Sequence, residues 1–211
     1  MNLRDRHVGI VDYKAGNVRS IENAIEHLGA RIGNIRAPED IEGFTHIVLP
    51  GVGAFGHCTE KLRATGLIPS LVEAVCAGGK PLLGICVGMQ LLADFGEELG
   101  GHEGLGWIGG QVRALTASPG VRVPHVGWNE VTFQEEFGDF RVGDRADFYF
   151  DHSFAYHDPR DGRVIGSCDH GGRFAAIVGR GSITACQFHP EKSQTAGLRF
   201  VSNFLRTEPS C

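Results

Sequence analysis

Residues 82–90 read LLGICVGMQ. The apolar run 82–85 predicts a short buried strand, and a helical pattern follows from about Gly88 to Phe95. That leaves Cys86 in the turn between them. Glycines at 84 and 88 let neighbouring backbone approach, and a sharp strand-to-helix turn lifts one side chain above the sheet. The helix start lies behind the sulfur, and its dipole and free N–H groups favour the thiolate, the reactive form. The N–H of Val87 points to where negative charge would develop on an attacked carbonyl. An isolated cysteine is most often a small buried residue. The flanking glycines and the corner position set this one apart, whereas Cys76, Cys168 and Cys186 read as structural thiols.

Working outward, the N-terminal half alternates strand and helix. HVGIVD (7–12) reads as a strand, and Val18, Ile21, Ile25 and Leu28 then fall on one helical face. Asn17 can cap that helix and Gly29 can end it. HIVLP (46–50) is another strand, the loop GVGAFG (51–56) follows, and residues 67–77 are helical in pattern. The C-terminal half is richer in strands, at 147–150, 174–178 and 183–188, with the last two joined by GRGS in a hairpin. A closing helix spans 195–205, with Leu198, Val201 and Leu205 on one side. This pattern predicts a three-layer α/β fold: a mostly parallel central sheet with helices on both faces and an antiparallel extension in the C-terminal half. No linker divides the chain, so residues 1–211 read as one domain.

Composition narrows the function classes. The chain has 211 residues, 42% apolar, enough to bury a sizeable core. A net charge of −5 argues against a general nucleic-acid binder. No run approaches the ~18 apolar residues of a membrane span, and Asp12 cuts the first apolar run too short for a signal peptide. A cytoplasmic protein is expected. Its six cysteines contain no C-x-x-C pair, and the histidines lack zinc-ligand spacing, so neither a disulfide scaffold nor a metal site is expected.

A thiolate nucleophile needs a group that takes and returns protons. QFHPEKS (187–193) offers His189, with Glu191 two residues on; in extended backbone both side chains leave on one side, and Pro190 stiffens the link. Glu191 can then fix the tautomer of His189. A lone His-Pro-Glu run is more often a surface turn, so its weight comes from pairing with the cysteine corner. The loop GVGAFG fits the G-x-G-x-x-G pattern but follows a later strand and begins after Pro50, and the segment around residue 70, where a strand ending in an acidic residue belongs, reads as helical. It reads better as a loop presenting a backbone N–H, from Val52 or Gly53, as a second oxyanion donor.

With these segments in order, the chain resembles the class I glutamine amidotransferases, and more narrowly the glutaminase subunits of imidazole glycerol phosphate synthases. DYKAGNVRSI, LPGVGAFG, GICVGMQLL, PHVGWNEV, FYFDHSF, QFHPEKS and GLRFVSNFL carry the resemblance nearly end to end. It implies a triad of Cys86, His189 and Glu191 acting on L-glutamine, with backbone N–H groups of Val87 and of Val52 or Gly53 as oxyanion donors and no cofactor. Gln90 and Glu98 would hold the substrate's polar groups, Glu98 its ammonium, and Ser153–Phe154 would meet its carboxylate through backbone groups. Such a subunit docks on a (β/α)8-barrel cyclase and hands over ammonia; Asn17, Trp128, Asn129 and Lys192 are interface or gate candidates. Gln90 and Glu98 could instead be solvated helix-face residues, a reading that stands behind the functional one; the interface candidates could equally be ordinary exposed polarity, and Trp128 plain core.

Three departures from the resemblance stand out. Lys14 and Ala15 stand where small residues around a glycine are more usual, a change expected to bear on docking, and Asp151 replaces an apolar residue; none is expected to touch the chemistry. Rival readings are a glutaminase serving the anthranilate, guanylate or pyridoxal phosphate synthase, which would be expected to lack PHVGWN; a thiol γ-glutamyl hydrolase working without a partner; and a catalytically dead binding module.

Overall fold

A computed structural model describes residues 3–15 and 18–209. The N-terminal half supplies β1 (His7–Val11), α1 (Val18–His27), β2 (Arg31–Ile35), β3 (His46–Leu49), α2 (Phe55–Ala64), α3 (Ile68–Leu71, continuing as a π-helix over Val72–Ala77), β4 (Leu82–Ile85) and α4 (Val87–Gln90). Short strands β5 (Phe95–Gly96) and β6 (His102–Glu103) lead into β7 (Gln111–Ala114), β8 (His125–Phe133), β9 (Arg145–His152) and β10 (Phe154–His157). The chain closes through β11 (Arg163–Asp169), β12 (Arg173–Arg180), β13 (Ile183–Cys186) and α5 (Gln194–Leu205).

The strands form one sheet in the order β2-β1-β3-β4-β13-β12-β10-β7-β5-β6, with β11 on β12 carrying the β8–β9 ribbon. Strands β2, β1, β3, β4 and β13 are mutually parallel, and β12 and β10 continue antiparallel. A parallel core with an antiparallel extension is the predicted fold. Burial explains it: β3, β4 and β13 are buried at every residue, the signature of strands covered on both faces. Helix α1 buries Ile21 and Ile25, packs against α5 and ends at Gly29, whose φ of +89° suits the left-handed turn. The β12–β13 hairpin turns tightly through Gly181–Ser182, with Arg180 opposite Ile183.

Several expectations need correction. The helix after Cys86 ends at Gln90, well short of Phe95, because residues 91–94 bond elsewhere: Leu105 N–H donates to Leu91 O, Ile108 N–H to Leu92 O, and Asp94 N–H to Gly110 O. The last strand stops at Cys186, short of 188. Helix α5 turns Phe200, Val201, Phe204 and Leu205 inward, while Leu198 is only half-buried. Cys76 is exposed, unlike the buried Cys168 and Cys186. Asn17 lies outside the described residues.

Candidate active site

Three adjacent strands deliver the site. The glycine loop leaves the carboxyl end of β3, Cys86 that of β4, and the His189 segment follows β13. Parallel neighbours lie about 4.8 Å apart, so their ends converge, and the sheet order reverses between β1 and β3, where open α/β sheets bind ligands.

Cys86 sits at φ 54°, ψ −113°, a strained conformation for a residue with a side chain. The corner is tight enough to require its glycines: a Cβ on Gly88 would fall 1.9 Å from the Leu49 carbonyl oxygen, and one on Gly51 would fall 2.6 Å from the Gly88 nitrogen. Tyr13 secures the facing loop by donating its buried hydroxyl to Pro50 O at 2.6 Å.

His189 is 5% exposed and its ring contacts both the Cys86 sulfur and Glu191. Nδ1 lies 2.8 Å from Glu191 Oε1, which leaves Nε2 for the sulfur. The pair is made by a 3-10 turn over Pro190–Lys192, where an extended strand was expected to align the two side chains. His189 N–H donates to Tyr149 O, and Ser193 Oγ donates to His189 O, so the backbone is held on both sides. Phe188 anchors the segment, its ring stacked 3.9 Å from Phe148. Burial pulls the His189 pKa down, but Cys86 and Glu191 outweigh it and push it up to about 10.

Cys86, His189, Val52, Gly53, Val87, Gln90, Glu98, Ser153, Phe154 and Lys192 line one cavity of about 380 Å³, the size of a small-molecule site. Asp151 lines it too, although sequence reasoning set this residue apart from the chemistry. Gln90 is buried, and its amide donates to Phe154 O and Gln187 Oε1, both at 3.0 Å, which leaves its own oxygen for a ligand. Glu98 Oε2 accepts the Phe55 N–H at 2.7 Å, at the start of α2. The Ser153 and Phe154 carbonyls are taken, by Leu115 N–H and by Gln90, so an anion would meet N–H groups of this loop. Val87 departs from expectation: its N–H donates to Gly51 O at 3.3 Å and is not free for an oxyanion. Trp128 and Asn129 lie on β8 outside the cavity lining; Trp128 is half-exposed and edge-on to Tyr149, and Lys192 Nζ sits 5.4 Å over the same Tyr149 ring. Sequence reasoning missed Gln187, fully buried, with its amide 3.8 Å from the Cys86 sulfur. Its place two residues before His189 was the available signal.

Residues 9–207 match the model of the family described as Glutamine amidotransferase class-I. The chain belongs to the class-I glutamine amidotransferases. Within that family it is 44% identical to "Imidazole glycerol phosphate synthase subunit HisH" of Zymomonas mobilis over 99% of both chains. The subunit of the same name from Rhodospirillum rubrum is 43% identical over 96% of this chain and 99% of that one. A third relative, "Imidazole glycerol phosphate synthase hisHF, chloroplastic" of Arabidopsis thaliana, is 42% identical over 95% of this chain but only 34% of its own length. These likenesses place this amidotransferase among the glutaminase subunits of imidazole glycerol phosphate synthase. In fold it is similar to a chain of PurLQS from Thermotoga maritima, with TM-score 0.75, 20% identity and coverage of 95% and 97%. Among the described residues, no helix of this amidotransferase is long and apolar enough to cross a membrane.

Proposed function

We propose that residues 1–211 work as one cytoplasmic domain that hydrolyses L-glutamine at Cys86 and passes the ammonia to a (β/α)8-barrel cyclase. The observation that carries this reading is the contact of His189 with both Cys86 and Glu191 at the edge of a cavity of amino-acid size. The Cys86 sulfur attacks the side-chain amide carbon. His189 gives its proton to the departing nitrogen as the C–N bond breaks, leaving a glutamyl thioester and ammonia. Water, deprotonated by the now neutral His189, attacks the thioester; the C–S bond breaks and glutamate leaves. Glu191 holds the ring and offsets its charge. Gln90 and Glu98 take the substrate's polar groups, and N–H groups of the Ser153–Phe154 loop take its carboxylate.

The oxyanion needs donors, and Val87 N–H is occupied by Gly51 O. The Gly51–Val52 peptide is a rigid unit, so turning it over would release Val87 N–H and swing Val52 N–H inward together. That rotation is taken up by ψ of Gly51, which has no side chain, and by φ of the exposed Val52. Docking of the cyclase at this rim, by Lys192 and the Trp128–Asn129 stretch, and by Asn17, would be the trigger. The Arabidopsis relative's additional length supports a partner of substantial size.

The test is glutamine hydrolysis with and without cyclase, for wild type and Cys86→Ala. Turnover should rise with cyclase and vanish in Cys86→Ala, which should still bind the cyclase. Near-wild-type hydrolysis by Cys86→Ala would overturn the mechanism. Partner-independent turnover would favour a free-standing γ-glutamyl hydrolase.

A further inference from the structure

Hydrogen bonds run in series from the half-buried Asn129 on β8 to His152, which lines the pocket. Asn129 Nδ2 lies 3.1 Å from His125 Nε2, His125 Nδ1 lies 2.9 Å from His152 Nε2, and His152 Nδ1 lies 2.8 Å from Phe154 O. The series ends at that carbonyl, which also accepts from the Gln90 amide; Gln90 donates in turn to Gln187, whose amide reaches the Cys86 sulfur. Its direction can be deduced from one end. A carbonyl only accepts, so the His152 Nδ1 carries the proton that Phe154 O receives. Burial drives the pKa of His152 down to about 4 and that of His125 to about 3, so both rings are neutral at pH 7. A neutral His152 protonated at Nδ1 has a bare Nε2, which must accept from His125 Nδ1. His125 Nε2 is then bare in turn and accepts from Asn129. The Asn129 amide agrees: Nδ2 also donates to Asp169 O at 3.0 Å, while Oδ1 accepts the Glu130 N–H at 2.8 Å.

Packing fixes the rings. His125 is stacked between Phe150, 4.7 Å away, and His170, 3.8 Å away, and His152 packs edge-on to Phe174. The Nε2 of His170 donates to Arg122 O, so that ring is turned away from the series.

We propose that His125 and His152 are positioning residues: a one-way series of hydrogen bonds, each ring protonated at Nδ1, sets the Phe154 carbonyl and hence the glutamine pocket, and it can be broken from Asn129. The proposal rests on the glutaminase reading for what the pocket holds. Both neutral rings stand in the form opposite to that preferred by free histidine, which makes the arrangement visible to measurement. An acceptor at position 129 in place of the amide would remove the donor to His125 Nε2. His125 would then have to protonate Nε2, and the series would lose its direction.

The test uses the full chain labelled with 15N. Ring nitrogen–proton correlations at pH 7 should show His125 and His152 both protonated at Nδ1; an Nε2–H form of either ring overturns the proposal. Asn129→Asp should move the His125 proton to Nε2 or charge the ring, and should raise the KM for glutamine about tenfold, the loss expected for one hydrogen bond. His152→Phe should raise KM by a similar factor, and His152→Asn, which keeps a donor near the Nδ1 position, should restore most of it. An unchanged KM and tautomer in Asn129→Asp, or failure of His152→Asn to rescue, overturns the proposal. Should His152→Phe not fold, the wild-type tautomers and Asn129→Asp decide. If the wild type with cyclase hydrolyses no glutamine, the glutaminase reading falls, while the ring tautomers still test the series.

Discussion

Gly88→Ala is the most demanding test of the corner that carries Cys86. A methyl group at position 88 would sit 1.9 Å from the Leu49 carbonyl oxygen and 2.9 Å from its carbonyl carbon, both backbone atoms at the end of a fully buried strand. Real Cβ contacts essentially never fall below 3.0 Å. The start of α4 must therefore withdraw from β3 by about 3.0 − 1.9 = 1.1 Å. Cys86 and Val87 are the two residues before it and move with it, away from His189 and from the Pro50–Gly53 loop. A misplacement of about 1 Å at a reacting group costs on the order of 100-fold in rate. Overpacking of this kind costs about 1–3 kcal/mol of stability, which a domain of this size survives. The assay is kcat for glutamine with cyclase, beside thermal melting, with Gly43→Ala as control because nothing lies within 4 Å of its added Cβ. Gly88→Ala should be folded and roughly 100-fold slower, and the control unchanged. Activity within a few-fold of wild type in Gly88→Ala would refute the claim that close backbone approach sets the sulfur's position.

Two further outcomes follow from the same geometry. The His189 ring should hold its proton through neutral pH and release it only toward about 10, because the sulfur and Glu191 outweigh burial; in Cys86→Ala the largest raising contribution is gone while burial remains, so the midpoint must fall. Titration of the ring by 15N NMR checks this, and a wild-type midpoint near 6.5 would contradict the assigned contacts. Phe188→Ala should destabilise the fold by about 3–5 kcal/mol, since the ring is fully buried between Phe148 and Phe200; chemical denaturation measures it, and a loss below about 1 kcal/mol would mean that the aromatic cluster does not anchor the His189 segment.

What was legible in the sequence was local chemistry; what was not was the set of partners chosen by distant backbone. Cys86 could be singled out because glycines at 84 and 88 are visible requirements of a sharp corner. The core strands were legible because covering a strand on both faces leaves an unbroken apolar run. The helix after Cys86 was overextended because its apolar pattern continues through Leu91, Leu92 and Ala93. Those residues are apolar because they are buried all round, and residues 104–110 claim their backbone groups. The His189–Glu191 pair was found for an incomplete reason: spacing by two suits a strand, yet Pro190 starts a 3-10 turn that achieves the same meeting. The state of Val87 N–H could not be read, since it depends on Gly51 O, 36 positions away. The Asn129–His125–His152 series shows the same limit more sharply. Each of its residues reads alone as ordinary polarity, and His125 and His152 meet only because β8 and β9 pair in a register that sets them opposite one another. Neutral buried histidines have no sequence signature of their own. Their role follows only once every donor in the series has been matched to the one acceptor it can reach.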